Sequence, residues 1–182
     1  MAFLDKIKNW YGKKQLLNLA RLRTEPINCN YNDLHTIGIL YDATNEANFK
    51  TVRSFVCKLK ESHKEVISLG YVNQLHLEDF HIQPKEFLFF CRKDLNWYFR
   101  PTESSTVDFR KIEFDVLIDL CIEEHLPVRY VLNESPAKLK VGKYSEANIN
   151  YYDMLIDISE EESVDHLFNQ TLHYLKMMNQ NK

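Results

Sequence analysis

Two aspartates, Asp42 and Asp119, stand where short apolar runs end. Asp42 follows the run 36–41, and Asp119 lies at the end of the run 114–120. Carboxylates at the carboxyl ends of neighbouring strands can hold a divalent metal ion, or one of them can act as a general base. The alternative is structural, because aspartate after a strand commonly caps the next helix or hydrogen-bonds a loop. Both interpretations stay open from the sequence.

Further polar residues follow the first and third apolar runs. Thr44 and Asn45 come directly after the first run, where they can bind a ligand or cap a helix. Asp94, Asn96 and Trp97 form an aromatic and polar segment after the third run. We expect this loop to lie near the first aspartate, where an aromatic ring can stack on a ligand. The alternative is a hydrophobic loop that closes one end of the sheet.

A lysine-rich segment, residues 138–143, contains a Gly-Lys step like that of phosphate-binding loops. It lacks the first glycine and the Ser or Thr of that motif, so it is not a P-loop. Ser135, Lys138 and Lys140 remain candidates for an anion-binding edge. The alternative is an edge strand whose lysines prevent aggregation. Because no G-x-G-x-x-G turn follows the first run, usual dinucleotide binding is not expected, and no particular cofactor is predicted.

The pattern of apolar residues predicts alternating strands and helices from residue 34 onward. Strands are expected at 36–41, 65–72, 86–91, 114–120, 138–141 and 152–157, and helices at 2–23, from 44 or 45 to about 63, 104–111, 122–134 and 160–178. Continuous apolar runs indicate a sheet covered on both faces. Right-handed crossovers then favour an α/β fold with a doubly wound, mostly parallel six-stranded sheet, Rossmann-like, in the order 3-2-1-4-5-6.

The N-terminal segment differs in charge from the rest of the chain. Residues 1–23 carry a net charge of +5, whereas the remainder carries −8. The segment predicts a basic amphipathic helix with an apolar stripe of Phe3, Ile7, Trp10 and Leu17. This stripe is expected to pack on the chain's own body or on a second copy in a homodimer, and less readily on an anionic membrane surface. Nucleic-acid binding is not expected, because the body is acidic.

Composition places the chain among ordinary globular proteins. With 182 residues and 45% hydrophobic residues, it suits one domain at 34–182 preceded by a helical arm and linker at 1–33. The N-terminus has no signal-peptide pattern, and no apolar run is long enough to span a membrane. The four cysteines form no C-x-x-C pair, which favours a reducing, cytoplasmic compartment.

Four segments carry a resemblance to a known family. They are Ile37 to Thr44, Lys93 to Trp97, Phe114 to Leu120 and Ser135 to Gly142. On these, nearly the whole body resembles an uncharacterised family of small bacterial α/β proteins, which implies the fold and no chemistry. Residues 114–143 are also similar to the N-terminal half of heptosyltransferase-type glycosyltransferases. Those enzymes bind their sugar nucleotide chiefly through a second Rossmann-like half, for which we expect no room here.

These features favour a binding protein over an enzyme. The absence of a phosphate loop, a nucleophile motif and a second domain predicts a non-catalytic intracellular binding or interaction module. Its expected ligand is small and anionic or nucleotide-like, and is bound in the crevice at the carboxyl ends of the strands. The alternative is a small enzyme of nucleotide or sugar chemistry that uses Asp42 and Asp119.

Overall fold

The computed structural model describes residues 2–20 and 31–178, and these form six strands and five α-helices. The strands are β1 (Thr36–Asp42), β2 (Glu65–Val72), β3 (Phe87–Cys91), β4 (Val116–Asp119), β5 (Leu139–Lys143) and β6 (Met154–Ile156). The helices are α1 (Ala2–Ala20), α2 (Glu46–Glu61), α3 (Glu103–Lys111), α4 (Leu126–Glu134) and α5 (Val164–Met177). Residues 21–23 of the predicted first helix, and residues 24–30 of the predicted linker, lie outside the described part.

The sheet has the predicted topology. Its order is β3-β2-β1-β4-β5-β6, and every neighbouring pair is parallel. In the centre, Ile37 of β1 pairs with Val66 of β2 on one side and with Val116 of β4 on the other. The chain therefore reverses its winding direction between β1 and β4, which brings the ends of these two strands to one crevice.

Helices cover both faces of the sheet, as the continuous apolar runs predict. On one face, α2 and α5 pack on the sheet and on each other, with the rings of Phe55 and Phe168 stacked at 3.8 Å. On the other face lie α1, α3 and α4, which contribute the buried side chains of Leu16, Phe109 and Tyr130. Two separate hydrophobic cores thus flank the sheet. Full burial of one side chain of this size stabilises the folded chain by about 2 kcal/mol.

The first helix packs through the face opposite to the predicted one. α1 lies on α4 through Gly12 and Leu16, and the Tyr130 hydroxyl donates a hydrogen bond to the Gly12 carbonyl at 2.8 Å. A Cβ at Gly12 would lie 2.6 Å from the Tyr98 carbonyl oxygen, so only glycine permits this approach. The prediction that the stripe with Trp10 packs on the body is wrong, because the missing side chain at Gly12 decides which face approaches α4.

Two helices begin later than predicted. α4 starts at Leu126 rather than residue 122, with Pro127 in its first turn, where proline costs no hydrogen bond. α5 starts at Val164, because the Ser163 side chain accepts the His166 amide and caps it. The acidic residues 160–162 therefore precede the helix instead of forming its first turn. None of the described helices has the length and apolar character needed to cross a membrane.

Candidate functional site

Asp42 ends β1 and joins three elements. Its Oδ1 accepts the Thr44 amide at 2.8 Å, and its Oδ2 accepts a hydrogen bond from Nε2 of His125 at 3.1 Å. Burial alone would raise the pKa of Asp42, but the hydrogen bonds from His125 and Thr44 outweigh it and hold that pKa below its usual range. The ionised carboxylate therefore ties the end of β1 to the segment that precedes α4.

Asp119 ends β4 and is more deeply buried than Asp42. Its Oδ1 accepts the Cys121 amide at 2.9 Å, and its Oδ2 accepts the Tyr152 hydroxyl at 2.6 Å. Burial, and then the Asp119 charge, raises the pKa of Tyr152 well above its usual range, so this hydroxyl stays protonated and donates. Burial likewise raises the pKa of the Cys121 thiol, which keeps it protonated.

A cavity of about 170 Å³ opens at the carboxyl ends of β4 and β5, beside the Asp119–Tyr152 pair. This volume is more than ten times the roughly 15 Å³ that one water molecule needs. The side chains around it come from the end of β4, the start of α4 and the β5–β6 connection: Asp119, Cys121, Ile122, Glu123, Glu124, His125, Arg129, Lys143, Ser145, Asn148 and Tyr152. We call this space the strand-end cavity.

Arg129 is the most deeply buried cation of the strand-end cavity, with only 7% of its surface exposed. Its Nη2 donates to Asn148 Oδ1 and lies 2.8 Å from Glu124 Oε1, and the guanidinium lies 5.1 Å from the centre of the Tyr151 ring. It stands in the first turn of α4, where the helix dipole disfavours a cation. Such a residue needs anionic partners to remain buried.

Lys143, the last residue of β5, supplies the second cation. Its Nζ lies 2.9 Å from Glu162 Oε1, and its backbone carbonyl accepts Nδ2 of Asn148 at 2.6 Å. Since Asn148 also accepts from Arg129, this one amide fixes both cationic residues relative to each other. The buried Ser145 hydroxyl also lines the cavity and has no hydrogen-bond partner among the described residues, which leaves one polar group for a bound molecule.

The predicted residues after β1 act as caps and connections. Asn45 Oδ1 accepts the Asn48 amide at 2.8 Å and begins α2, which confirms the capping interpretation for this residue. The Thr44 hydroxyl accepts the Asn73 amide at 2.9 Å and so links the ends of β1 and β2. Asp42 and Asn45 line a wider, more open cleft of about 490 Å³ between the starts of α2 and α5. Asp42 does not line the strand-end cavity itself, but it forms a hydrogen bond to His125, which does.

The loop after β3 turns toward α1 instead of the crevice. Asp94 Oδ2 accepts the Cys91 amide, and Asn96 Oδ1 accepts the amides of Tyr98 and Arg100, so both side chains shape the loop itself. The Trp97 ring lies 4.9 Å from the ring of Tyr11 on α1. Trp97 thus packs on α1 and still has 57% of its surface exposed, so ligand binding by this loop stays a prediction.

Ser135, Lys138 and Lys140 lie toward the amino end of β5, away from the strand-end cavity. Lys138 forms an ion pair with Asp115 at 2.8 Å, and the Lys140 Nζ reaches the Asn133 carbonyl at 3.4 Å. The Ser135 hydroxyl accepts the Ala137 amide at 3.3 Å. The edge-strand interpretation is wrong, because β5 pairs with both β4 and β6. Only Lys143 of this segment reaches the cavity.

The described residues contain no group of three or more His, Cys, Asp or Glu side chains arranged to hold a metal ion. Asp42 and Asp119 follow neighbouring strands as predicted, and protein groups already contact both carboxylates. Their binding of a divalent cation stays a prediction.

Comparison with known proteins places the chain in a family. A family model matches residues 5–178, almost its whole length. The chain belongs to DUF6913, a family of unknown function. This confirms the resemblance to an uncharacterised family, whereas the likeness of residues 114–143 to heptosyltransferase-type enzymes is not confirmed. No curated protein and no solved structure matches the chain.

Patterns in the sequence do not identify three important residues of the site. The helix predicted at 122–134 contains His125 and Arg129, and the strand predicted at 152–157 begins with Tyr152. The available signal was Pro127, because proline favours the first helical turn and so places Arg129 at the helix start. An arginine at the start of a helix is electrostatically unfavourable there and therefore indicates an anionic partner.

Proposed function

We propose that this DUF6913 protein is a binding module that holds a small anionic group, such as a phosphate, in the strand-end cavity. The observation that carries the proposal is Arg129, a buried cation that lines the strand-end cavity together with Lys143. The start of α4 adds the positive end of a helix dipole to the same space. The Ser145 hydroxyl offers a further hydrogen bond.

An anion can enter the cavity by replacing two exposed carboxylates. Glu124, the partner of Arg129, has 44% of its side chain exposed, and Glu162, the partner of Lys143, has 56% exposed. Because both carboxylates already contact solvent, they can turn outward, and the incoming anion replaces Glu124 as the partner that the buried Arg129 needs. A phosphate between the two cations would form charge-assisted hydrogen bonds with both, while the glutamates turn to solvent.

Thermal unfolding in the presence of inorganic phosphate tests this proposal. At a phosphate concentration ten times the Kd, the native state gains about 1.4 kcal/mol, which raises the Tm of a protein this size by about 3–5 °C. Because phosphate also stabilises proteins nonspecifically, the comparison with a variant decides the result. We expect Lys143→Met to weaken phosphate binding about tenfold or more, since it removes one charge-assisted hydrogen bond.

Lys60→Met is the matched control, because Lys60 also pairs with a glutamate, Glu86 at 2.9 Å, but lies away from the cavity. Its phosphate-dependent shift should equal that of the unchanged protein. Equal shifts in the unchanged protein, Lys60→Met and Lys143→Met would refute binding in the cavity. Pyrophosphate and a nucleoside monophosphate, tested in the same way, distinguish a bare anion from a nucleotide-like ligand.

The enzyme alternative receives no support from the described residues or from the family, neither of which indicates a specific activity. Asp42 and Asp119, its proposed catalytic residues, hold loop amides and neighbouring side chains.

We also propose a cytoplasmic location, as the cysteines suggest. The three described cysteines, Cys57, Cys91 and Cys121, are free thiols, which fits a reducing compartment. Cys29 lies outside the described residues. Thiol titration of protein purified under non-reducing conditions should find reactive Cys57, the exposed one of the three.

A further inference from the structure

Three residues of the apolar stripe of α1 are exposed in the folded chain, and the side chain of Phe3, the fourth, lies outside the described part. The exposed fractions are 45% for Ile7, 64% for Trp10 and 42% for Leu17. At 100° per residue these three side chains span about a quarter of the helix circumference, roughly opposite Gly12 and Leu16, which pack on α4. The helix thus carries apolar residues on two sides, and within the described part of the chain only the side with Gly12 and Leu16 is packed on the domain. We call the three exposed residues the outer stripe.

Lysines accompany the outer stripe. Lys6 and Lys13 lie along one border of it, and Lys14 lies within it, with its Nζ 5.4 Å from the centre of the Trp10 ring. All three are exposed. Long lysine side chains beside apolar residues can extend their charges to the polar side of an interface while their methylene groups stay on the apolar side. A partner that complements this side of α1 therefore has an anionic surface and an apolar layer beneath it.

A second copy of the chain fits this surface poorly. In a two-fold dimer each patch meets itself, so the lysines around one outer stripe would face the lysines around the other. Docking of the stripe on the acidic body of another copy would leave one copy with a free body and the other with a free stripe. Such a head-to-tail contact builds an open chain unless the rotation closes a ring.

We propose that α1 lies on an anionic lipid surface through the outer stripe. Trp10 would sit at the level of the headgroups, which tryptophan favours, and Ile7 and Leu17 would enter the boundary with the acyl chains. Lys6, Lys13 and Lys14 would contact lipid phosphates. The opposite face of α1 stays on α4, so the lipid surface holds the folded domain without unfolding it.

Vesicle co-sedimentation of the full chain tests the proposal. The protein should pellet with phosphatidylcholine vesicles that contain phosphatidylglycerol, and much less with pure phosphatidylcholine. Added salt should weaken binding, because the Debye length falls as salt is added. Trp10 fluorescence should shift to shorter wavelength on the anionic vesicles, and this shift should be absent in Trp10→Gln.

Two matched pairs of variants separate the apolar and the charge contributions. Ile7→Gln should lower the partition coefficient several-fold, whereas Ile82→Gln, which changes an isoleucine that is 82% exposed elsewhere, should leave it unchanged. Lys14→Gln should lower the partition coefficient about fivefold. Lys50→Gln, on exposed Lys50 of α2, should have less effect.

The proposal is overturned if anionic vesicles do not pellet the full chain at low salt, or if Ile7→Gln and Ile82→Gln bind equally. Analytical ultracentrifugation supplies a further test. A stable dimer that Trp10→Gln converts to monomer would show that a second copy covers the outer stripe, which also overturns it. Competition by a nucleic acid is the last outcome. If a nucleic acid that binds through Lys14 displaces the unchanged protein and Trp10→Gln from the vesicles equally well, the surface is purely electrostatic, which contradicts the proposal.

Discussion

Replacing Tyr152 with phenylalanine removes the hydroxyl that donates a hydrogen bond to Asp119. The ring of Tyr152 remains to fill its place in the core, so the change isolates the 2.6 Å hydrogen bond to Oδ2. Both residues are buried, with 5% of Asp119 and 7% of Tyr152 exposed. Without the hydroxyl, the Asp119 carboxylate keeps the Cys121 amide on Oδ1 and loses its partner on Oδ2.

Hydrogen bonds to charged groups contribute about 1.5–3 kcal/mol, and the loss is largest where the remaining group stays buried. We therefore expect Tyr152→Phe to lower the free energy of unfolding by about 2 kcal/mol. For a chain of this length, that corresponds to a fall in Tm of roughly 4–8 °C. The loss should be smaller in an Asp119→Asn background, because there the hydroxyl no longer meets a charge.

Urea unfolding of the four proteins of this double-mutant cycle measures the coupling. Tyr151→Phe is the control, since it makes the same change at the neighbouring buried tyrosine and keeps the ring that lies against Arg129. We expect it to cost less than Tyr152→Phe. A loss below about 0.5 kcal/mol for Tyr152→Phe, or equal losses with and without the Asp119 charge, would show that the pair does not hold the end of β4.

Three other predictions concern the sheet and three aspartates. Gly142→Ala places a Cβ 2.4 Å from the Tyr152 ring, so we expect it to lower stability by about 1–3 kcal/mol in urea unfolding; a neutral result would contradict the packing. Burial would raise the pKa of Asp115, but a neighbouring lysine and backbone amides hold it far below the usual 3.8. The contribution of ionised Asp115 to the free energy of unfolding is therefore complete above pH 3.8, and it is lost as the pH falls through the lower pKa of the folded state. Asp115→Asn should therefore destabilise the protein at neutral pH and much less in strong acid. If Asp42 and Asp119 hold Mg²⁺, changing both to Asn should abolish any Mg²⁺-dependent rise in Tm, and a protein with no such rise would refute the metal hypothesis.

The fold was predictable because most of the strands, β1 and β4 above all, are continuous apolar runs. Runs such as 36–41 fit only strands buried on both faces, and the handedness of crossovers leaves few topologies. The packing of α1 was not predictable in the same way, because both of its faces carry apolar residues. Gly12 decides between them through the absence of a side chain, and periodicity of apolar residues does not report that effect.

The site was predictable in position but only partly in its residues. Asp42 and Asp119 were found because the carboxyl ends of neighbouring parallel strands must meet. Arg129 and Asn148 come together from α4 and the β5–β6 connection, and a contact between elements separated in sequence leaves no local pattern. The lysine-rich segment 138–143 did not reveal which of its lysines lies at the cavity. Lys138 and Lys143 lie at opposite ends of β5, and only Lys143 reaches the cavity.

The most direct test of the strand-end cavity is to locate an anion in it. Crystals soaked in selenate, a phosphate-sized anion with a strong anomalous signal, should show a peak between the Arg129 guanidinium and the Lys143 ammonium. The Glu124 and Glu162 side chains should turn toward solvent in the same crystals. An empty cavity, with selenate bound only at exposed lysines elsewhere, would contradict the proposal that this protein holds a small anion at the ends of β4 and β5.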